Sequence, residues 1–315
     1  MRPSRGLAFL FLATVCFGTA EPAIKAVMDV GLSPGEVVQL RGNGAALVLL
    51  AMAFVRDPKS LRVAPRELPL LLAYGLFAFL GIQEFSFVAL SRLPVGVALL
   101  LEYLAIVFVA LWARFVQGRV LAPMTWAGIA CAVAGLAMSE QVWRGAMLDG
   151  VGAAAGIASA ICLAAYFLLS EHGIGGRDPI SLAALGSSIG AIAADGIAPP
   201  WRLPFARLRD IAHLGPLAVP AWMALSYVVL IGTVGAYVSD ISALNDLPSP
   251  VAGVLSTFEV VVAAATAWWL LGETLSGMQL AGAAVLFAGV VLAQMGSRAA
   301  PPARALGSCS EADPR

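Results

Sequence analysis

Residues 89–116 read ALSRLPVGVALLLEYLAIVFVALWARFV, and the stretch decides the fold. After Pro94 the chain is almost continuously apolar as far as Trp112, interrupted by Glu102. About 20 apolar residues are what an α-helix needs to cross a bilayer's hydrocarbon core. Closed β-barrels also span lipid, but their strands alternate apolar and polar residues; Val95 to Leu101 and Val260 to Ala267 do not.

Nine further runs of this kind follow from the same reading. The set is 6–28, 35–55, 68–89, 94–116, 122–140, 150–170, 180–198, 217–239, 250–271 and 276–295. The links between them hold Pro, Gly, Asp and Arg, as in 56–67 and 245–250. Composition agrees. Of 315 residues, 60% are hydrophobic and 12% charged, against about 25% charged in a soluble domain. A soluble fold of this size leaves too much apolar surface wet. The chain is read as an all-α polytopic membrane protein of about ten transmembrane helices.

Net charge is zero and no basic patch stands out, so nucleic acid is not an expected partner. Cys16, Cys131, Cys162 and Cys309 form no CxxC pair, so neither a metal site nor a cofactor is expected. Arg2, Arg5 and the apolar run ending at Gly18-Thr19-Ala20 have the layout of a signal peptide. The apolar pattern runs on to Met28, and we read a first helix that stays attached.

Lys and Arg set the orientation. With the N-terminus inside, the inner segments hold 12 of them and the outer loops 5. Both termini are therefore expected in the cytoplasm of a bacterial inner membrane. The loop from Trp201 to His213 dissents with three arginines, and an interfacial position is its expected resolution.

The opening stretch has a counterpart. Ala89-Leu90-Ser91-Arg92-Leu93-Pro94 is matched by Ala243-Leu244-Asn245-Asp246-Leu247-Pro248. Each is followed by small and aliphatic residues and a lone glutamate, Glu102 or Glu259. Trp126-Ala127-Gly128 and Leu280-Ala281-Gly282 follow in the next helix of each copy. The repeat unit is five helices, an odd number, so the second copy enters the membrane inverted. Inverted repeats are a transporter architecture with the site near the midplane between the halves. The expected units are residues 1–142, 143–296 and a disordered cytoplasmic tail, 297–315, rich in Ala, Pro, Ser and charge.

Phe17-Gly18-Thr19 with Lys25 and Arg41, the segment from Ala89 to Tyr103, and Ser256-Thr257-Phe258-Glu259 through Gly272-Glu273-Thr274-Leu275 resemble the EamA family of the drug/metabolite transporter superfamily. The resemblance covers residues 6 to about 295, and the stretch from Leu93 to Val116 is most similar to actinobacterial members. It implies ten helices around a central cavity and export of metabolites, amino acids or toxic compounds.

Charge at membrane depth costs several kcal/mol and so marks functional candidates. Glu21, Lys25, Arg41, Glu84, Glu102, Asp240 and Glu259 qualify. Glu102 lies eight residues beyond Pro94, about 12 Å at the helical rise. Glu259 lies nine beyond Pro250, about 13 Å. Each either faces a shared cavity or locks helix packing. Glu21 and Lys25 are one turn apart and can pair, and Pro22 between them is expected to kink or break the helix. Arg41 either binds an anionic group or snorkels to the headgroups, with snorkelling preferred. Tyr103 and Tyr166 look deep enough for the cavity. Tyr227 and Tyr237 read as interfacial anchors, and Trp268 and Trp269 as belt residues. The cavity candidates for substrate or proton are thus Glu102, Glu21, Glu259, Tyr103, Tyr166, Lys25 and Arg41.

The function read from this is a secondary transporter, in the exporting sense, working by alternating access. The alternatives are an intramembrane enzyme and a membrane scaffold. An enzyme lacks its base or ligand, because His172 and His213 both fall in loops. A scaffold lacks an extramembrane domain. The expected partners are a small-molecule substrate, membrane lipid and, as an open alternative, a second copy in a homodimer. Reporter fusions after Arg62 and after Arg304 should both report cytoplasm. A periplasmic signal at either position reverses the assigned orientation.

Overall fold

The computed structural model describes residues 3–118, 120–139, 149–171, 177–246, 258–273 and 276–298. Arg2, Arg119, Arg144, His172, Pro248 and Pro250, the Ser256-Thr257 and Thr274-Leu275 pairs, and Cys309 lie outside the described residues. So does the expected tail, apart from its first two residues, which close the last helix.

Ten membrane-type helices are described. They are α1 (Pro3–Asp29), α2 (Pro34–Arg56), α3 (Leu68–Leu90), α4 (Val95–Phe115), α5 (Pro123–Ser139), α6 (Gly150–Glu171), α7 (Pro179–Ile197), α8 (221–246), α9 (Phe258–Leu271) and α10 (Gly277–Arg298). Seven have the length and hydropathy to cross a membrane, and α5, α9 and α10 are shorter apolar helices. Their edges follow local chemistry. Ser33 caps α2 reciprocally: Glu36 N donates to Ser33 Oγ at 3.4 Å, and Ser33 N to Glu36 Oε2 at 2.7 Å. Pro34, at the first helical position, lacks a donor that would be orphaned there anyway. A one-way cap followed by proline starts α7, where Asp178 Oδ2 accepts from Ser181 N at 3.1 Å ahead of Pro179.

Three features depart from uniform helices. Helix α4 breaks at Leu104, between Val95–Tyr103 and Ala105–Phe115. Helices α3 and α8 each contain a π-helical turn, Gly75–Gly81 and Leu230–Gly235, in matching positions of the two copies. The run expected at 217–239 begins late. Residues Ile211–Leu214 (β1) and Leu217–Pro220 (β2) form an antiparallel hairpin, and helix starts only at Ala221. Gly215 holds the hairpin turn at φ 60° and lies against the end of α9, where an added Cβ would come 3.0 Å from the Leu270 carbonyl. Arg207, in the arginine-bearing stretch ahead of the hairpin, donates to the Val30 carbonyl at 3.1 Å.

The repeat is geometric as well as sequential. An offset of 154 residues carries Ala89 to Ala243, Pro94 to Pro248, Gly118 to Gly272, Gly128 to Gly282 and Gly135 to Gly289. Gly118 and Gly272 share φ 67°, the left-handed conformation that ends a helix at a glycine. Helix α5 packs on its counterpart α10, and α2 on its counterpart α7. Helix α1 lies against α8 and α9, as α6 lies against α3 and α4. Exchanging the copies leaves this pattern unchanged. The α5–α10 crossing also sets the sense. Gly128 meets the Gly289 carbonyl, and Gly135 the Gly282 carbonyl. Rising numbers in one helix meet falling numbers in the other, so equivalent helices are antiparallel and the copies are inverted.

Small residues let transmembrane backbones approach closely. A Cβ on Gly128 would lie 2.3 Å from the Ala293 nitrogen, and one on Gly289 2.3 Å from the Ala132 nitrogen. At one end of the bundle, Arg177 binds Glu67 and the Ser60 and Arg62 carbonyls, and its hydrogen bond holds the Glu67 carboxyl below the usual range. At the other, the Gly152 N–H and then Arg92 hold Asp149 low.

Gly128→Ala should lower the thermal midpoint of the detergent-purified protein, because overpacking a tight contact costs about 1–3 kcal/mol. Gly277→Ala, whose Cβ would meet nothing within 4 Å, should leave it unchanged or raise it slightly.

Candidate functional site

A cavity of about 290 Å³ sits between the two copies. Helix α1 crosses it. Pro22 does not break this helix, which runs continuously from Pro3 to Asp29. The hydrogen bond that Pro22 cannot make would have gone to the Gly18 carbonyl. That oxygen instead accepts from Thr266 Oγ1 of α9 at 3.2 Å. Neighbouring helices re-satisfy freed backbone groups in this way. The α1–α9 crossing is close, since a Cβ on Gly18 would lie 2.8 Å from Val262.

Six of the seven residues expected at the site line this cavity: Glu21, Arg41, Glu102, Tyr103, Tyr166 and Glu259. Glu21 Oε2 is buried with no hydrogen-bond partner among the described residues. Glu102 Oε2 stands 3.0 Å from the Ser159 hydroxyl, which is also 3.1 Å from the Ile82 carbonyl. Glu259 Oε2 accepts from Tyr103 Oη at 2.9 Å. Tyr103 closes the first half of α4, directly before the break at Leu104. By the 154-residue offset, Glu102 corresponds to Ser256 and Glu259 to Ala105. The two glutamates therefore reach one cavity from non-equivalent positions.

Arg41 does not snorkel. It is 6% exposed. Its Nε donates to Thr233 Oγ1 at 2.8 Å and its Nη1 to Gln83 Oε1 at 2.6 Å. Its guanidinium lies over the Phe87 ring at 5.5 Å. Thr233 belongs to the π-helical turn of α8, and Gln83 follows the π-helical turn of α3. π-turns cluster at functional sites because they re-aim side chains. Both copies thus contribute a π-turn to the positioning of one arginine.

Lys25 is elsewhere. It does not pair with Glu21. Its Nζ donates to Glu273 Oε1 at 2.5 Å and to the Leu93 carbonyl at 2.9 Å. Glu273 Oε2 accepts from Val95 N at 2.9 Å, an orphan donor of the α4 amino terminus. Gly272, in its left-handed conformation, turns the chain out of α9 and presents Glu273 there. The interaction ties α1 and the start of α4 to the end of α9, and so joins the two copies beyond the cavity.

Sequence reasoning missed part of the wall. Tyr237, read as interfacial, lines the cavity, as do Gln83, Tyr74 and Phe79. Asp240, one of the charges singled out at membrane depth but not carried into the cavity set, lines it too. Among the missed residues only Gln83, polar within an apolar run, gave a signal. Glu84 does not line the cavity; it lies beside Gly35 of α2. Trp268 and Trp269 are exposed on the outer surface, 64% and 65%.

Two inverted five-helix units, meeting at a mid-membrane cavity with charged groups from both, define a small-molecule membrane transporter. The chain belongs to the EamA-like transporter family, whose profile matches residues 4–140 and 150–295. It is similar to the threonine/homoserine exporter RhtA of Salmonella typhimurium, 28% identical over 84% of this chain and 81% of that one. RhtA of Escherichia coli K12 is likewise 28% identical, over 84% and 81%. A probable amino-acid metabolite efflux pump of Salmonella typhimurium is 29% identical over 89% and 93%. A solved chain described as "Crystal structure of protein" superposes with TM-score 0.60 over 95% of this chain and all of its own, at 22% identity, a likeness of fold.

Lys25→Met should lower the thermal midpoint, and Glu273→Gln added to it should cost far less than Glu273→Gln alone. The coupling expected for a partly buried pair in contact is about 0.5–3 kcal/mol. Additive midpoint changes in the double-mutant cycle would show that the pair contributes nothing.

Proposed function

We propose that this chain exports amino acids or related small metabolites across a bacterial inner membrane by alternating access. Residues 1–142 and 143–296 are the two moving units, 297–315 is a cytoplasmic tail, and both termini face the cytoplasm. The observation that carries the reading is the convergence of Glu21 and Glu102 from one copy with Asp240 and Glu259 from the other on a single cavity. Idle carboxylates at that depth would still incur the insertion cost. The names of the relatives supply the amino-acid class.

In this orientation the cavity lies near mid-membrane, lined by the early parts of α2 and α4 as well as α1, and extends toward the cytoplasmic side along the early part of α3 and the later parts of α6 and α8. The Lys25–Glu273 tie lies at the outer end. A substrate enters from the cytoplasm, and rocking of the units must break the tie to release it outside. The chain has no Gly-Lys-Ser/Thr phosphate loop, so an ion or substrate gradient supplies the energy. The carboxylates are the groups able to carry a coupled proton, Glu102 first, then Glu21 and Glu259.

Reconstitution in proteoliposomes tests this, with counterflow of labelled threonine, homoserine and phenylalanine. Glu102→Gln keeps size and hydrogen bonding but removes the titratable charge. Losing an interaction with a charged group costs about 1.5–3 kcal/mol, so transport should fall roughly tenfold or more at equal protein level. Full transport by this variant, with an unchanged pH dependence, removes Glu102 from the machinery. No counterflow of any amino acid by the wild type sinks the amino-acid reading.

A further inference from the structure

Arg41 is the one cationic side chain on the cavity wall, among the described residues. Two of its five N–H donors are used, by Thr233 and Gln83. No carboxylate lies within 4.0 Å of it among the described residues, although the cavity holds four. A buried guanidinium without a carboxylate is expensive unless something else completes it. Its planar fork matches a carboxylate with two parallel hydrogen bonds.

The same cavity carries a continuous wall of aromatic rings. Phe17 meets Tyr237 edge-on at 5.5 Å, and Tyr237 stacks on Phe79 at 5.8 Å. Phe79 meets Tyr74 at 5.8 Å, Tyr74 meets Tyr166 at 5.5 Å, and Tyr166 meets Phe167 at 5.3 Å. Phe79 and Tyr237 also border the recess around Arg41, so the wall begins beside the guanidinium. Four helices, α1, α3, α6 and α8, contribute to it. Glu21, with its unpartnered Oε2, faces the same space.

From this geometry we infer that the cavity selects α-amino acids with a large aromatic side chain. The substrate carboxylate docks on Arg41, its ammonium on Glu21, and its side chain lies along the ring wall. The inference rests on the amino-acid reading above and adds an orientation and a preference to it. The cavity, about 290 Å³, is at the small end of the roughly 300–1,000 Å³ typical of ligand sites. That suits one such molecule. A zwitterion answers the mixed charge that a plain amine or a plain acid would leave half-paired, and aromatic faces attract a ring as well as exclude water.

Titration calorimetry on the full-length detergent-purified protein tests the inference with three ligands. These are L-phenylalanine, phenethylamine, which lacks only the carboxylate, and L-threonine. Phenylalanine should bind at least about tenfold more tightly than either. Arg41→Gln should bring phenylalanine down to the level of phenethylamine and leave phenethylamine unchanged. Arg41→Lys, which keeps charge without the fork, should fall between. Equal binding of phenylalanine and phenethylamine by the wild type overturns the Arg41 assignment. So does a preference that survives Arg41→Gln. Threonine binding as tightly as phenylalanine overturns the role of the ring wall. If Arg41→Gln does not fold, the wild-type comparison of the three ligands decides alone. Binding of none of them overturns the inference, and the counterflow of threonine then judges the transporter reading separately.

Discussion

A carboxylate in a hydrocarbon slab about 30 Å thick has no water to turn to. The rest of this molecule follows from that constraint. Four acids and one arginine on the transmembrane helices face inward to one cavity, and a fifth acid, Glu273, neutralises Lys25. The peptide groups obey the same rule. Helices satisfy themselves, and where Pro22 removes a donor, a threonine from the other copy takes over the stranded carbonyl. Where the chain is not regularly helical at depth, at Leu104 and in the two π-turns, it borders the cavity or positions a residue that does. Irregular backbone is tolerated where it lines a cavity rather than lipid.

Different helices of each copy divide the work. Helices α5 and α10 meet along backbone-to-backbone contacts at Gly128, Gly135, Gly282 and Gly289. They hold the units together. Helices α1, α2, α3, α4, α6, α8 and α9 carry the charged, polar and aromatic side chains that face the cavity. Moving one unit against the other about α5 and α10 leaves that seam intact and changes the cavity. The Lys25–Glu273 interaction spans the units away from the seam, beyond the cavity.

Much of this was legible in the chain itself. Ten apolar runs stand at the positions of ten helices, because lipid imposes length and composition locally. The repeat was legible because duplication left Ala-Leu…Leu-Pro and the glycines in register. What was hidden depends on partners far away in sequence. Lys25 has Glu21 one turn off, yet it pairs with a carboxylate 248 residues along. Arg41 sits near a helix end, where snorkelling is the ordinary outcome, and only the folded chain shows Gln83 and Thr233 drawing it inward. The strand at 217–220 is apolar enough to read as the start of α8; no periodicity separates a four-residue strand from a helical turn. Glu102 and Glu259 looked like equivalents because each follows a proline at a similar distance, but the glycine register puts them three residues apart.

The seam and the ring wall share no helix. That separation bears on how members of such a family diverge, and on laboratory evolution. A library confined to Phe17, Tyr166 and Tyr237 changes the ring wall without touching the Gly128, Gly135, Gly282 and Gly289 contacts of the seam. On the proposed reading, recognition and assembly sit on different helices of the duplicated five-helix scaffold, so selection can act on the one while the other is kept.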